Sequence, residues 1–161
     1  MNIKKLLKQY INENLEIESP RKFKAAYFEE TCFDYSCNSN INNYLDNNKD
    51  ENKFQKLLFK FIDDRNLKDS DVYNKVNIDR RLFSKIRNNE DYHPSKETII
   101  LLALSLKLSE DELVSLLDSA SYSLPKNNYF DLIIRFCFIN KIYNVNDIND
   151  LLYEYKCNLL N

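Results

Sequence analysis

The chain of 161 residues contains no glycine, and this absence limits both its backbone and its chemistry. Glycine is the residue that adopts positive φ without steric cost, so every turn that needs this conformation must use another residue. Asparagine is the least costly substitute, and the chain is rich in it. Phosphate-binding loops of the glycine-rich type are therefore excluded.

The composition is that of a folded chain without a membrane segment. Hydrophobic residues make up 43% and aromatic residues 13%, which is enough for a core and more than disordered chains contain. No run approaches the roughly 20 apolar residues that a membrane span requires. The N-terminal sequence is too polar after Leu7 for a secretion signal, so we predict a cytoplasmic protein.

Apolar residues recur at helical spacing through most of the chain, and no segment shows the two-residue alternation of a half-buried strand. The pattern predicts an all-α fold. We expect the helix at 94–109 to be central, because it is almost wholly apolar from Ile99 to Leu108. The predicted helices cover 3–15, 20–35, 51–66, 69–76, 79–89, 94–109, 109–124, 128–140 and 146–157. The polar, Asn-rich segment 36–53 is predicted to be a loop or linker.

Side chains that cap helix N-termini stand at the expected boundaries. Serine, threonine, aspartate and asparagine favour the cap, proline favours the first helical position, and Ser-x-x-Glu forms a capping box. These rules predict helix starts at Ser19 with Pro20, at Asp69 or Ser70, at Asp79, at Pro94 with Ser95, and at Ser109 with Glu112.

Two short helices at 69–76 and 79–89 are separated by only two residues, Asn77 and Ile78. With their neighbours in 54–124 they resemble the five-helix domain of the lambda-repressor/Cro (XRE-like) helix-turn-helix family. Asn77 stands where that family usually has glycine, and asparagine tolerates the left-handed conformation. The resemblance implies that helix 79–89 is a recognition helix, which enters the major groove of DNA.

Three longer stretches carry a second resemblance, which covers about 54–160. They are "NIDRRLFSKIRNNEDYHPSKET", "LLALSLKLSEDELVSLLDSASYSL" and "FDLIIRFCFINKIYNVNDINDLLYEY". They are similar to a largely uncharacterised bacterial C-terminal module that recurs behind different N-terminal parts and commonly has glycine where this chain has Ser121. The implied organisation is an N-terminal helical extension with an Asn-rich linker at 1–50 and, at 51–161, a helix-turn-helix domain with two C-terminal helices.

The predicted recognition helix carries a basic face although the chain has a net charge of -2 and a pI near 5.5. From 80 to 88 there are four cations and no carboxylate. Arginine can read guanine, asparagine can read adenine, and lysine and serine can bind phosphate. The predicted contacts to double-stranded DNA are Arg80, Arg81, Ser84, Lys85, Arg87 and Asn88. Four nearby carboxylates argue against DNA because they repel phosphate: Asp63, Asp64, Asp69 and Asp71.

These residues predict a DNA-binding transcriptional regulator, with a homodimer as the expected form because a second copy doubles the phosphate contacts. The alternative is a protein-interaction adaptor or regulator on the same scaffold. The recurrence of the module behind different N-termini suggests a phage-defence or toxin-linked system for it. Its candidate partner-binding residues are the aromatic side chains Phe23, Tyr27 and Phe28 of helix 20–35, which has more aromatic groups than one stripe can bury.

Catalysis and metal binding find little support in the sequence. His93 is the single histidine, and no nucleophile with an orienting acid can be named beside it, so we predict that it braces its loop. Of four cysteines, Cys32 and Cys37 are the one close pair, and no second pair or histidine cluster completes a zinc site. We therefore predict no enzyme, no metal and no cofactor.

Overall fold

The computed structural model describes residues 3–16, 53–89 and 91–161, which form eight helices and no strand. The prediction of an all-α fold is confirmed for these residues. The predicted helix 20–35, the predicted linker and the cap at Ser19 lie outside them. The helices are α1 (Ile3–Asn14), α2 (Lys53–Asp64), α3 (Asp69–Lys75), α4 (Arg80–Asn88), α5 (Lys96–Leu106), α6 (Glu110–Ser119), α7 (Tyr129–Ile139) and α8 (Val145–Glu154).

Helix α5 lies at the centre of the core, as its apolar sequence predicts. Its residues 99–106 are all buried. A helix that is apolar on every side removes its surface from water only when neighbouring helices cover it on all sides. Helices α3 and α6 both pack against α5, and α6 also contacts α2 and α7. The elements on either side of α4 are therefore held by one continuous core.

Helix α1 packs against α7. Leu7 and Ile11 are buried, and the rings of Tyr10 and Phe136 lie 5.4 Å apart. The backbone N–H of Glu16 donates to the carbonyl of Lys126 at 3.0 Å. Residues 3–16 thus belong to the same compact unit as the described residues from 53 to 161. The proposed boundary near residue 50 stays a prediction.

Three of the predicted helix starts are confirmed by their hydrogen bonds. Asp79 accepts from the backbone N–H of Arg81 at 2.5 Å, and Ser95 accepts from Thr98 at 3.2 Å. Ser109 and Glu112 form a reciprocal capping box. Each cap satisfies N–H groups that have no partner inside the helix.

Several boundaries differ from the predicted ranges. Helix α6 ends at Ser119 rather than at 124, because Ser121 adopts a left-handed conformation with φ 60°. The N-cap of α3 is Lys68, without a side-chain cap, so the assignment to Asp69 or Ser70 is wrong. Asp69 is instead the first helical residue, and its carboxylate binds an arginine of α4. Helix α8 ends at Glu154, before the predicted 157, because Lys156 adopts a left-handed conformation with φ 54°.

Six described residues have positive φ, and each follows a helix: Asn66, Asn77, Lys107, Ser121, Lys141 and Lys156. This is the position where glycine commonly ends a helix. Asparagine fills two of the six positions, as its tolerance of this conformation predicts. Lysine fills three, which the sequence did not indicate. A lysine there places its charge near the negative end of the helix dipole, and this offsets part of the steric cost.

Candidate nucleic-acid interface

A tight turn joins α3 to α4. Asn77 has φ 55°, and the N–H of Ile78 donates to the carbonyl of Tyr73 at 2.9 Å. Val76 and Ile78 are buried on either side of Asn77, whose own side chain is exposed. The turn between the C-cap Val76 and the N-cap Asp79 therefore has two residues, and its buried neighbours anchor both helices to the core.

The inner face of α4 is anchored by Phe83 and Ile86. The ring of Phe83 lies 6.3 Å from that of Phe59 on α2 and 5.5 Å from that of Tyr73 on α3. Ile86 has no solvent exposure. Helical spacing predicts that Leu82, Phe83 and Ile86 face inward. Phe83 and Ile86 are buried, whereas Leu82 is only half-buried against the core. This packing sets which side chains of α4 face outward.

The last turn of α4 is also tied to α2 through Gln55. Its amide nitrogen donates to the carbonyls of Ile86 at 2.7 Å and Asn89 at 2.8 Å. Carbonyls at the end of a helix lack intrahelical partners, so this amide replaces water there. The sequence contains no local signal for the role of Gln55, because its partners lie more than 30 positions away.

All six predicted DNA contacts lie on the solvent side of α4. Within the described ranges, Arg80 and Arg81 have no ion-pair partner. The ammonium of Lys85 lies 5.1 Å from the centroid of the Tyr92 ring and pairs with no described carboxylate. The amide nitrogen of Asn88 donates to the Ser84 hydroxyl at 3.0 Å. Three cations are thus exposed on one helix face.

Arg87 has a different environment from the other cations. Its Nη2 lies 2.6 Å from Oδ1 of Asp69, and its guanidinium carbon lies 4.2 Å from the centroid of the Phe59 ring. The side chains of Arg87 and Asp69 are 44% and 35% exposed. The pair joins α4 to α3 at the surface, and the charge of Arg87 is locally balanced.

The four carboxylates named as possible repellents of phosphate occupy different positions. Asp69 is bound to Arg87, and Asp63 lines the same cleft as Arg80 and Arg87. Asp64 and Asp71 are exposed. Among the described residues, the groove on the other side of α4 is lined by no carboxylate; its lining residues are Arg81, Leu82, Ser84, Lys85, Asn88 and Asn89.

His93 braces two loops. Its Nε2 donates to the carbonyl of Ala120 at 2.7 Å, and its Nδ1 lies 3.4 Å from the Tyr122 hydroxyl. That hydroxyl donates its single proton to the carbonyl of Pro94 at 3.2 Å. These bonds connect the segment after α4 to the segment after α6. They are the contacts expected of the loop-bracing role that the sequence predicts.

A buried carboxylate at the start of α7 has its own partners. Asp131 is 3% exposed, and its oxygens accept from Lys96 at 2.5 Å and from the amide of Asn128 at 2.7 Å. Buried charges are tolerated when they are paired and hydrogen-bonded in this way. The pair links the N-terminus of α5 to that of α7, and we assign it to the fold.

Comparisons with family models, with curated proteins and with solved structures found no match to this chain. None of the helices in the described ranges is both long and apolar enough to cross a membrane. The same ranges hold no cluster of histidine, cysteine, aspartate and glutamate suited to a metal ion. The candidate partner-binding residues Phe23, Tyr27 and Phe28 lie outside the described residues.

Proposed function

We propose that this protein binds double-stranded DNA through α4 and regulates transcription in a bacterial cytoplasm. The observation that carries the proposal is the set of three exposed cations, Arg80, Arg81 and Lys85, on a helix whose opposite face is buried. A helix held in this way presents its outer side chains at fixed positions. Such preorganisation is what reading of base edges requires.

The order of the helices supports a lambda-repressor-like domain formed by α2 to α6. Helices α3 and α4 are short and are joined by four residues, 76–79, that include the left-handed Asn77; short helices with such a turn are typical of the family that the sequence resembles. Helix α4 has nine residues and is about 13 Å long, so it can lie along the major groove. In this arrangement Arg81, Lys85 and Asn88 face the bases, while Arg80 and Ser84 lie nearer the backbone.

The electrostatic contribution of this interface to the affinity for DNA is limited. Neutralising three phosphates gives a slope of about -2.7 in log K against log salt, which is roughly a 40-fold loss between 50 and 200 mM salt. A dimer doubles the slope. The near-neutral charge of the whole chain adds little to this term, so affinity depends on α4 itself.

The test compares two double variants of equal charge by fluorescence anisotropy with a random-sequence duplex at 50 and 200 mM KCl. Arg81→Ala with Lys85→Ala removes two cations from α4, and Lys5→Ala with Lys8→Ala removes two exposed cations from α1. The α4 variant is expected to reduce the slope by about 1.8 per protomer, and the α1 variant to leave it unchanged. Equal effects of the two variants, or no binding by the wild type at micromolar concentration, would refute the proposal.

A protein-interaction adaptor on the same scaffold is the second candidate. The ion pair of Arg87 with Asp69 and the presence of Asp63 in the cleft that Arg80 lines favour it, because both weaken the positive potential of the α4 face. Light scattering and a pull-down from host lysate test this function. A heteromeric complex that survives nuclease and high salt supports the adaptor, whereas loss of all partners after nuclease treatment rules it out.

A further inference from the structure

We propose that Asp69 is an intramolecular competitor of DNA phosphate that holds Arg87 out of the interface. The inference rests on the proposed DNA binding and concerns its regulation by a contact within the fold. It means that the free protein has fewer cations available than its sequence contains.

The ion pair between Asp69 and Arg87 occupies a hydrogen-bonding position that a DNA phosphate could take. The carboxylate of Asp69 binds Nη2 of Arg87 at 2.6 Å, where a phosphate oxygen could otherwise accept the same hydrogen bond. Arginine pairs equally well with carboxylate and with phosphate, since both present anionic oxygens in similar geometry. Both side chains are more than a third exposed, so an ion pair of this kind is weak and exchangeable.

The surroundings of the pair point to a phosphate rather than to a base. Arg87 lines a cleft of about 540 Å³ between the end of α2, the start of α3 and α4. Lys68, Ser70, Arg80 and Ser84 also line this cleft, and Asp63 is its one carboxylate besides Asp69 among the described lining residues. Ammonium, guanidinium and hydroxyl groups together form the usual donor set for a backbone phosphate.

The position of Arg87 is fixed on two sides. The Phe59 ring lies beneath the guanidinium, with 4.2 Å from the guanidinium carbon to the ring centroid, and Asp69 binds its edge. Removal of the carboxylate leaves the ring contact in place, so the guanidinium stays in the cleft and gains a free edge. The fourth cation of α4 then becomes available to DNA.

The experiment measures the salt slope of duplex binding for Asp69→Asn and Asp71→Asn in the full chain. Asp71 is the matched control, because it lies in the first turn of α3, is exposed and has no ion pair with any described residue. Each variant removes one negative charge from the same helix. Only Asp69→Asn is expected to steepen the slope, by about 0.9 per protomer. The loss of affinity between 50 and 200 mM salt then grows from roughly 40-fold to roughly 150-fold.

A second pair of variants tests whether Asp69 acts through Arg87. In an Arg87→Ala background, Asp69→Asn is expected to leave the slope unchanged. Equal slopes for Asp69→Asn and Asp71→Asn, or weaker binding by Asp69→Asn, would overturn the inference while DNA binding by the wild type stands. Absence of binding by every variant and by the wild type overturns the proposed function and this inference with it.

Discussion

Replacement of Lys107 tests how a chain without glycine ends its central helix. Lys107 follows α5 with φ 51° and ψ 48°, and its N–H donates to the carbonyl of Leu104 at 3.1 Å. The next N–H, from the buried Leu108, donates to the carbonyl of Ala103 at 3.1 Å. The left-handed conformation is therefore needed to close the helix and to direct Leu108 into the core.

The magnitude follows from two opposing terms. A Cβ atom in this conformation costs about 1–2 kcal/mol. Glycine removes that cost but loses about 0.5–1 kcal/mol in backbone entropy. We expect Lys107→Gly to be more stable than Lys107→Ala by about 0.5–1 kcal/mol, since neither variant retains the lysine charge. Against the wild type, Lys107→Gly also loses the favourable charge near the helix end, which is worth about 0.3–1 kcal/mol at low salt.

Urea unfolding followed by circular dichroism at 222 nm measures these differences as shifts of the midpoint at constant m-value. The matched control is Lys60, which is exposed within α2. There the order must reverse, with Lys60→Ala more stable than Lys60→Gly by about 1 kcal/mol. If Lys107→Ala equals or exceeds Lys107→Gly in stability, the left-handed conformation at this position does not carry the assigned cost.

Three further predictions concern the core and its ion pairs. Burial opposes ionisation of Glu112, but hydrogen bonds and the charge of Arg65 outweigh it and lower the pKa of the carboxyl below its ordinary 4.5. The stability that ionised Glu112 contributes is therefore complete above pH 4.5 and is lost as the pH falls through the lowered pKa. In urea titrations, the difference in stability between the wild type and Glu112→Gln should shrink as the pH falls below 4.5. A difference that stays constant with pH would contradict this prediction. Ser105→Ala removes the buried hydrogen bond to the carbonyl of Val72 at 2.7 Å and should cost roughly 1–3 kcal/mol in urea unfolding, whereas a loss below about 0.5 kcal/mol would show that this bond is dispensable. Burial raises the pKa of Cys137 to about 12, so mass spectrometry after iodoacetamide treatment at pH 8 should find this thiol alkylated in urea but not in native protein.

Most of the local structure could be predicted from the sequence because its causes lie within a few residues. The central position of α5 follows from its continuous apolar run, and the caps at Asp79, Ser95 and Ser109 follow from side chains two or three positions from their partners. The left-handed turn at Asn77 follows from the tolerance of asparagine for positive φ. The start of α3 was misassigned because the side chain of Asp69 has a partner 18 positions away, which no local rule includes.

The candidate interface, too, was predictable from the sequence only in part. Helical spacing predicted that Leu82, Phe83 and Ile86 face inward and that the cations of α4 face outward. Leu82 is only half-buried, because it lies at the edge of the buried face. Helical spacing alone, however, does not distinguish the surroundings of the four cations. The packing of α4 against α2 and α3 separates Arg87, which lies over Phe59 and is paired with Asp69, from the other three.

By itself, the sequence determined the all-helical fold of the described residues, the helix starts marked by Asp79, Ser95 and Ser109, and the outward direction of a basic helix face. These features depend on backbone sterics and on periodicity, which act over short distances along the chain. Tertiary structure alone decided that Gln55 closes the end of α4 and that Asp69 balances Arg87. Both contacts join residues far apart in sequence, and only the packing of the core brings them within hydrogen-bonding distance.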